Sequence, residues 1–219
     1  TIGVIGGTGS GKSTLVNLIP RFYDAASGQV LVDGTDVKEY SLDELRDKTG
    51  VVPQKSVLFK GTLRDNMRWG KQDASDEEIY RALDTAQARE FVDSKGEGLD
   101  LYIDQGGHNL SGGQRQRLTI ARALVRRPEI LIMDDSASAL DFATDARLRK
   151  AIRENTGDMT VFIVSQRATT IKSADTILVL DEGRLAGMGT HKELLKDCQV
   201  YREICLSQLS KEEVERDEQ

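Results

Sequence analysis

Apolar residues change their spacing several times along the chain, and each change predicts an element. Thr1-Ile2-Gly3-Val4-Ile5 reads as a buried strand already under way, so the chain is expected to be clipped at its N-terminus. A glycine-rich turn follows, then a helical period from about Lys12 to Ile19 that Pro20 closes, because proline cannot continue the backbone ladder. Residues 28–33 alternate ahead of the turn Asp33-Gly34, the pattern of a half-buried strand. Ser41-x-x-Glu44 is a capping box opening a short helix, and Gly50-Val51-Val52 is a strand that meets Pro53.

From Thr62 to about Arg127 the pattern is mainly helical. Ser75-x-x-Glu78 caps a stretch with Ile79, Leu83 and Ala86 on one face, and a later helix runs to Pro128, so 62–127 is expected to be an inserted helical subdomain. Two continuous apolar runs follow, Ile130-Leu131-Ile132-Met133 and Val161-Phe162-Ile163-Val164. Their lack of alternation suits strands covered on both faces of a parallel sheet, with buried helix segments as the alternative. Thr176 to Leu180 and Arg184 to Met188 flank Asp181-Glu182-Gly183, a hairpin signal, and Thr190-x-x-Glu193 caps a C-terminal helix. The charged tail, 210–219, is expected to fray from Lys211 onward. The fold expected is therefore α/β: a mainly parallel sheet flanked by helices, with an antiparallel edge at the hairpin and the helical subdomain inserted.

Composition narrows the classes. The 219 residues are 38% hydrophobic and suit one compact domain, or one domain with a subdomain. A formal charge of −6, from 30 Lys plus Arg against 36 Asp plus Glu, and the absence of a dense basic block remove the electrostatic footprint of DNA or RNA binding. No apolar run approaches the length of a membrane span, and the N-terminus lacks a signal-peptide layout, so the segment is expected to be soluble and cytosolic. Cys198 and Cys205 fit neither a zinc knuckle nor a redox pair and are expected to be reduced thiols.

Candidate chemistry begins at Gly6-Gly7-Thr8-Gly9-Ser10-Gly11-Lys12-Ser13, a match to G-x-x-x-x-G-K-[ST] between a strand and a helix, which is the context that pattern requires. Glycines let consecutive backbone N–H groups curl around a phosphate, and the helix N-terminus aims partial positive charge at the same point. Lys12 would reach the β and γ phosphates of a nucleotide, and the Ser13 hydroxyl would ligate Mg²⁺. An ordinary glycine turn is the bland alternative. Asp134, closing the run Ile130 to Met133, would hold Mg²⁺ through water; without the phosphate loop it would read as a turn or helix cap.

A second glycine turn opens a helix at Leu110-Ser111-Gly112-Gly113-Gln114, and a second phosphate-binding surface implies a second nucleotide. Here the sequence resembles the ATP-binding cassette family. Gly6 to Ser13 matches its Walker A loop, Leu110 to Gln114 its signature, and Asp134 its Walker B aspartate. Gln54 stands at the Q-loop position and Ser138-Ala139-Leu140-Asp141 at the D-loop position, in the family's order. Leu58-Phe59-Lys60-Gly61-Thr62-Leu63-Arg64-Asp65-Asn66 and Gly189-Thr190-His191-Lys192-Glu193-Leu194-Leu195 look like the exporter branch.

The resemblance implies ATP and Mg²⁺ as ligands and a head-to-tail dimer. ATP held by Gly6, Gly7, Thr8, Gly9, Ser10, Gly11, Lys12, Ser13, Thr14 and Gln54 of one subunit would be covered by Leu110, Ser111, Gly112, Gly113 and Gln114 of the other. It implies Ser13, Gln54 and Asp134 around Mg²⁺, a coupling role for Gln54 toward the transmembrane domains of an exporter, and a place at the cytoplasmic face of the cell membrane. His191 is expected to be a surface or capping residue rather than a base. The residue that stacks on adenine in this family would lie upstream of Thr1.

Two positions depart from the family's pattern. Asp135 stands where a glutamate normally polarises the attacking water, and Gln166 where a histidine should follow Ser165. A base must lie within about 2.6–3.2 Å of its proton, directly or through one water, and supplies roughly 10²–10⁴ in rate, so a carboxylate one methylene short loses much of that. A glutamine amide donates to a γ-phosphate but carries no charge. Both changes spare binding and weaken chemistry, with Asp135, Gln166 and Lys12 as the catalytic set. The expectation is a slow, degenerate site in a heterodimeric exporter whose partner domain carries the competent residues and is completed by this chain's signature. Gln105 also replaces the glutamate usual ahead of the signature.

The alternative reading is a regulatory module in which ATP only stabilises the closed dimer. A DNA-repair ATPase would need a coiled coil between Lys12 and Ser111, which stand too close for one. A small GTPase would need an Asn-Lys-x-Asp motif that is absent, and phosphotransfer kinases lack the signature helix.

Overall fold

Both continuous apolar runs are strands, and hairpin chemistry sets one edge of the sheet they join. The structure, a computed structural model, describes residues 1–136, 139–155 and 157–218. Its elements run β1 (Ile2–Gly6), α1 (Lys12–Asn17), β2 (Leu31–Val32), β3 (Thr35–Asp36), α2 (Leu42–Lys48), β4 (Thr49–Val52), β5 (Gly61–Thr62) and α3 (Leu63–Arg68). Then come α4 (Asp76–Thr85), α5 (Arg89–Ser94), β6 (Tyr102–Ile103), α6 (Gly112–Leu124), β7 (Ile130–Asp134), α7 (Phe142–Asn155) and β8 (Thr160–Val164). The chain continues through α8 (Ala168–Ile171), β9 (Thr176–Asp181), β10 (Arg184–Gly189), α9 (His191–Asp197), α10 (Gln199–Gln208) and α11 (Lys211–Glu218). Six strands form a mainly parallel sheet in the order β10-β9-β1-β8-β7-β4.

Two compact units divide the chain. The first comprises Thr1–Thr49, Ile132–Asp135 and Thr160–Gln219. In it β1 pairs in parallel with β8, Val4 opposite Val164, and with β9, Ile5 opposite Val179. Val4, Ile5, Ile177 and Val179 are fully buried, as a sheet covered on both faces requires. β10 runs antiparallel to β9 through a turn in which Glu182 and Gly183 both have positive φ, 45° and 77°, the geometry whose twist matches a two-residue hairpin. The second unit, Gly50–Leu131 with Ser136–Met159, contains the segment 62–127 and extends beyond it on both sides. Its core is helical: Leu63 and Met67 of α3, Ile79 and Leu83 of α4, and Leu118 and Ile120 of α6 are fully buried.

Capping chemistry sets most helix starts. Ser41 with Glu44, Ser75 with Glu78 and Thr190 with Glu193 form the expected reciprocal boxes, and Thr62 with Asp65 forms another. Each satisfies backbone donors left open by the first turn, worth about 1 kcal/mol per cap. Among the described residues, no helix is long and apolar enough to cross a membrane.

Several boundaries differ from the pattern. The helix expected to reach Ile19 ends at Asn17, and the one expected to reach Pro128 ends at Leu124, with Arg127 turned to φ 54° before the proline. The alternation at 28–33 yields only the two-residue β2, paired with β3 across a turn where Asp33 and Gly34 both have positive φ.

The tail is a helix rather than a frayed end. Ser210 and Glu213 cap it reciprocally, Val214 is 1% exposed, and Asp217 accepts from Lys172 at 3.3 Å. His191, expected to be a surface or capping residue, does stand at the start of α9 after the Thr190 cap, but it is buried rather than on the surface: Nδ1 lies 2.8 Å from the Tyr201 hydroxyl and Nε2 3.4 Å from Asp217. A single apolar residue in a charged eight-residue helix and a histidine at a cap position gave no local sign of this docking.

Burial pushes the His191 pKa below its ordinary value, outweighing the pull of Asp217. For Asp217 burial pushes upward, but hydrogen bonds from His191 and Lys172 prevail and the net shift is down. Both groups therefore favour docking in their deprotonated forms. The contribution of His191 is complete above its unfolded pKa of about 6.5 and is lost as pH falls through its lower folded value. Hydrogen exchange in α11, corrected for intrinsic rates, should show docking that is constant above about pH 7 and weakens on acidification from about pH 6.5. Docking that strengthens on acidification would mean that His191 pairs with Asp217 as a cation.

Candidate functional site

The phosphate loop connects β1 to α1 inside the first unit. Lys12, 8% exposed, folds back over it, and Nζ donates to the carbonyls of Gly6 at 2.9 Å and Gly7 at 2.7 Å, with Ser10 Oγ at 3.4 Å. Burial lowers the Lys12 pKa, and Asp134 and Asp135 oppose that shift. Gly11 stands at the helix start with φ 93°, and Gly9 has φ 80°, a region L side chains rarely enter. Gly6 is required for a different reason: a Cβ there would lie 2.2 Å from the Leu180 carbonyl oxygen and 2.6 Å from Ser10 Oγ. Gly7, Thr8, Gly9, Ser13 and Thr14 face solvent, while Ser10 is buried beneath the loop.

Ser13 Oγ donates to Asp134 Oδ1 at 3.0 Å, a contact across 121 residues of sequence. Two hard oxygen donors of this kind suit Mg²⁺, which is held by one or two protein groups and keeps several waters. The loop's glycine conformations, the Lys12 ammonium and this oxygen pair fit a magnesium-bound nucleotide triphosphate.

Asp135 follows β7 with φ 46°, a left-handed conformation that aspartate tolerates better than most residues, and its N–H donates to the Val164 carbonyl at 2.9 Å. Gln166 is exposed just beyond β8. Ser165 between them is buried, its N–H donating to the Val4 carbonyl at 3.0 Å and its Oγ accepting from Arg167 N–H at 3.0 Å. Lys12, Ser13, Asp134, Asp135 and Gln166 thus stand at or just beyond the carboxyl ends of neighbouring strands, where open α/β sheets bind ligands.

In the second unit, Ser111 caps α6: its side chain accepts from Gln114 N–H at 3.2 Å while Gln114 Oε1 accepts from Ser111 N–H at 3.0 Å. Leu110 is buried, and Ser111 and Gly112 are exposed. Arg115 Nη1 donates to the Leu110 carbonyl at 2.6 Å and fixes the turn from its inner side. Asp141 accepts from Thr144 N–H at 2.9 Å and from its hydroxyl at 2.8 Å, hydrogen bonds that hold its pKa below the usual range. Ala139 packs beside Gly113, where a Cβ would meet the Ala139 carbonyl at 3.3 Å; Ser138 lies outside the described residues. Gln54 is exposed after β4 and also belongs to this unit, so it is not one of the residues that the first unit brings together.

The pattern did not reveal the bonds that tie the rest of α6 to its surroundings. Gln116, 2% exposed, accepts a hydrogen bond from Ser56, and Arg122 donates to the Val57 carbonyl at 3.0 Å. Arg117 reaches the Gln87 carbonyl at 2.7 Å with its guanidinium over the Phe91 ring. Their helical spacing on α6 was visible; their partners, 30 to 65 residues away, were not.

The sequence model of the ABC transporter family matches residues 1–138, more than half of the chain. This chain belongs to the ABC transporter family, as an ATP-binding domain. An uncharacterized ABC transporter ATP-binding protein of Mycobacterium tuberculosis is 49% identical over 211 residues, 95% of this chain and 36% of its own length. The ATP-dependent lipid A-core flippase of Haemophilus influenzae is 42% identical over 96% of this chain and 36% of its own length. A solved structure of a bacterial Atm1-family ABC exporter with ATP bound superposes with TM-score 0.91 at 38% identity, covering 96% of this chain and 37% of that one. The ABC domain described here therefore spans little more than a third of the length of these relatives.

Gly6→Ala should cost about 1–3 kcal/mol in urea unfolding, because its Cβ meets rigid backbone. Gly7→Ala, whose Cβ enters open space, should stay within about 0.5 kcal/mol of the native protein. Equal costs would mean that the loop relaxes around Gly6.

Proposed function

We propose that this chain is the ATP-binding and ATP-hydrolysing domain of a membrane exporter, and that its own nucleotide site is the slow one of a heterodimeric pair. Export comes from the relatives' names, a flippase and an Atm1-family exporter, together with the family match. A docking face for transmembrane domains is supported by Phe59 and Trp69, ring centroids 5.0 Å apart and 38% and 69% exposed, which leave aromatic surface open in the second unit.

Bound ATP supplies the phosphoryl group, and Mg²⁺ offsets its charge. In this reading Gly6 to Thr14 cradle the phosphates through backbone N–H groups, and Lys12 exchanges the Gly6 and Gly7 carbonyls for phosphate oxygens. Ser13 and Asp134 would hold the metal. Ser111, Gly112 and Gly113 cover the nucleotide of the partner domain, with Leu110, Gln114 and Asp141 supporting that contact.

The observation that carries the slow-site reading is the pair Asp135 and Gln166 beside an otherwise intact phosphate site. Asp135 is the group to accept a proton from the attacking water at its carboxylate, yet its side chain stops about 1.5 Å short of a glutamate's reach. Gln166 donates a neutral amide hydrogen where a cation would better balance a γ-phosphate. Binding survives and turnover falls.

The test is ATP turnover at this chain's site in the complete transporter, with the partner domain's catalytic carboxylate disabled. Native turnover should sit near background, and Asp135→Glu with Gln166→His should raise it tenfold or more. Ordinary turnover in the native protein would overturn the slow-site assignment and leave a domain that hydrolyses ATP in its own right.

A further inference from the structure

The loop that carries Gln166 is held by a side chain from far along the chain. Gln208, at the last turn of α10, donates from Nε2 to the Gln166 carbonyl at 2.7 Å and accepts at Oε1 from Ala168 N–H at 2.9 Å. Ala168 is the first residue of α8, so its N–H is one of the donors that a helix start leaves open, and the cap residue, Arg167, makes no side-chain capping bond. Gln208 fills that role across 40 residues of sequence. Only a carboxamide presents a donor and an acceptor side by side at this reach, which is what a carbonyl and an N–H two residues apart require.

The same helix is held at its other end. Lys172, the C-cap of α8, donates to Asp217 of α11 at 3.3 Å. Val214, 1% exposed, anchors α11. Helices α10 and α11 therefore grip α8 at both ends. Ser165 ties the other side of the loop to β1 through the Val4 carbonyl.

We infer that Gln208 is a positioning residue: by fixing the backbone on both sides of residue 167, it sets where the Gln166 side chain stands relative to the nucleotide's terminal phosphate. The inference rests on the proposed role of Gln166. It adds that the C-terminal helices form part of the γ-phosphate sensor, so that this chain's preference for ATP over ADP is set partly from α10.

The test uses the complete protein with the phosphate loop of the second nucleotide-binding domain disabled, and reads the affinities for ATP and ADP in Mg²⁺ by competition with a fluorescent ADP analogue. Gln208 is exposed, so Gln208→Leu should fold. It should lower the ATP-to-ADP affinity ratio by about fivefold while leaving ADP affinity within twofold, the scale of one or two solvent-facing hydrogen bonds. Gln208→Glu keeps the acceptor for Ala168 but sets a carboxylate against the Gln166 carbonyl, and should lower the ratio at least as much. Amide exchange at 166–170 should quicken in both variants, with that of α6 unchanged.

Combining Gln208→Leu with Gln166→Ala should lower the ratio no further than Gln166→Ala alone, since the two act in series. If Gln166→Ala lowers the ratio and Gln208→Leu does not, the inference fails and the reading of Gln166 stands. A ratio unmoved by Gln166→Ala overturns that reading and the inference with it. Equal losses of ATP and ADP affinity in Gln208→Leu would reduce Gln208 to a structural cap.

Discussion

The parallel pairing of β1 with β8 is the constraint on which the candidate site is built. Register sets Val4 opposite Val164, so the phosphate loop that follows β1 and the Ser165-Gln166 turn that follows β8 leave the sheet at the same end. Two backbone bonds finish the alignment, Ser165 N–H to the Val4 carbonyl and Asp135 N–H to the Val164 carbonyl. Antiparallel strands would have sent consecutive loops to opposite ends. A parallel sheet instead requires long crossovers, which is why residues as far apart as Ser13 and Asp134 meet at 3.0 Å.

That geometry separates binding from chemistry. The groups proposed to hold a phosphate are local: a glycine turn, the helix start behind it and Lys12, all within one strand-loop-helix unit. The groups proposed to act on the water and the terminal phosphate, Asp135 and Gln166, come from two other strands and sit at their tips. An exchange of Glu for Asp or His for Gln at these tips falls outside the strand-loop-helix unit that forms the glycine turn. The left-handed backbone at Asp135 shows how tightly its position is set even so.

The second unit follows the same economy around α6. Arg115 holds the exposed Ser111-Gly112 turn through the Leu110 carbonyl, while Gln116 and Arg122 of the same helix bond Ser56 and the Val57 carbonyl. Burial alone lowers the Arg122 pKa, a sign of how far this guanidinium has been drawn from water to hold that loop.

Local interactions made most elements readable: hydrophobic period, reciprocal caps such as Ser75 with Glu78, and the Asp181-Glu182-Gly183 turn are satisfied within a few residues, so the sequence by itself determined the longer strands, the capped helix starts and the glycine-rich loop, while the two-residue strands β3, β5 and β6 left no such pattern. It also determined the family, because the spacing of the glycine turns and carboxylates is chemistry written in order. Helix ends were less legible, since Asn17 and Leu124 close their helices with no proline at the stop. Tertiary structure alone decided the burial of His191, the docking of α11 through Val214 and Asp217, and the reach of Gln208 to the Gln166 loop. Each of these rests on side-chain hydrogen bonds between residues 10 to 45 positions apart, and a lone polar group leaves no periodic trace until packing brings its partner within hydrogen-bond distance.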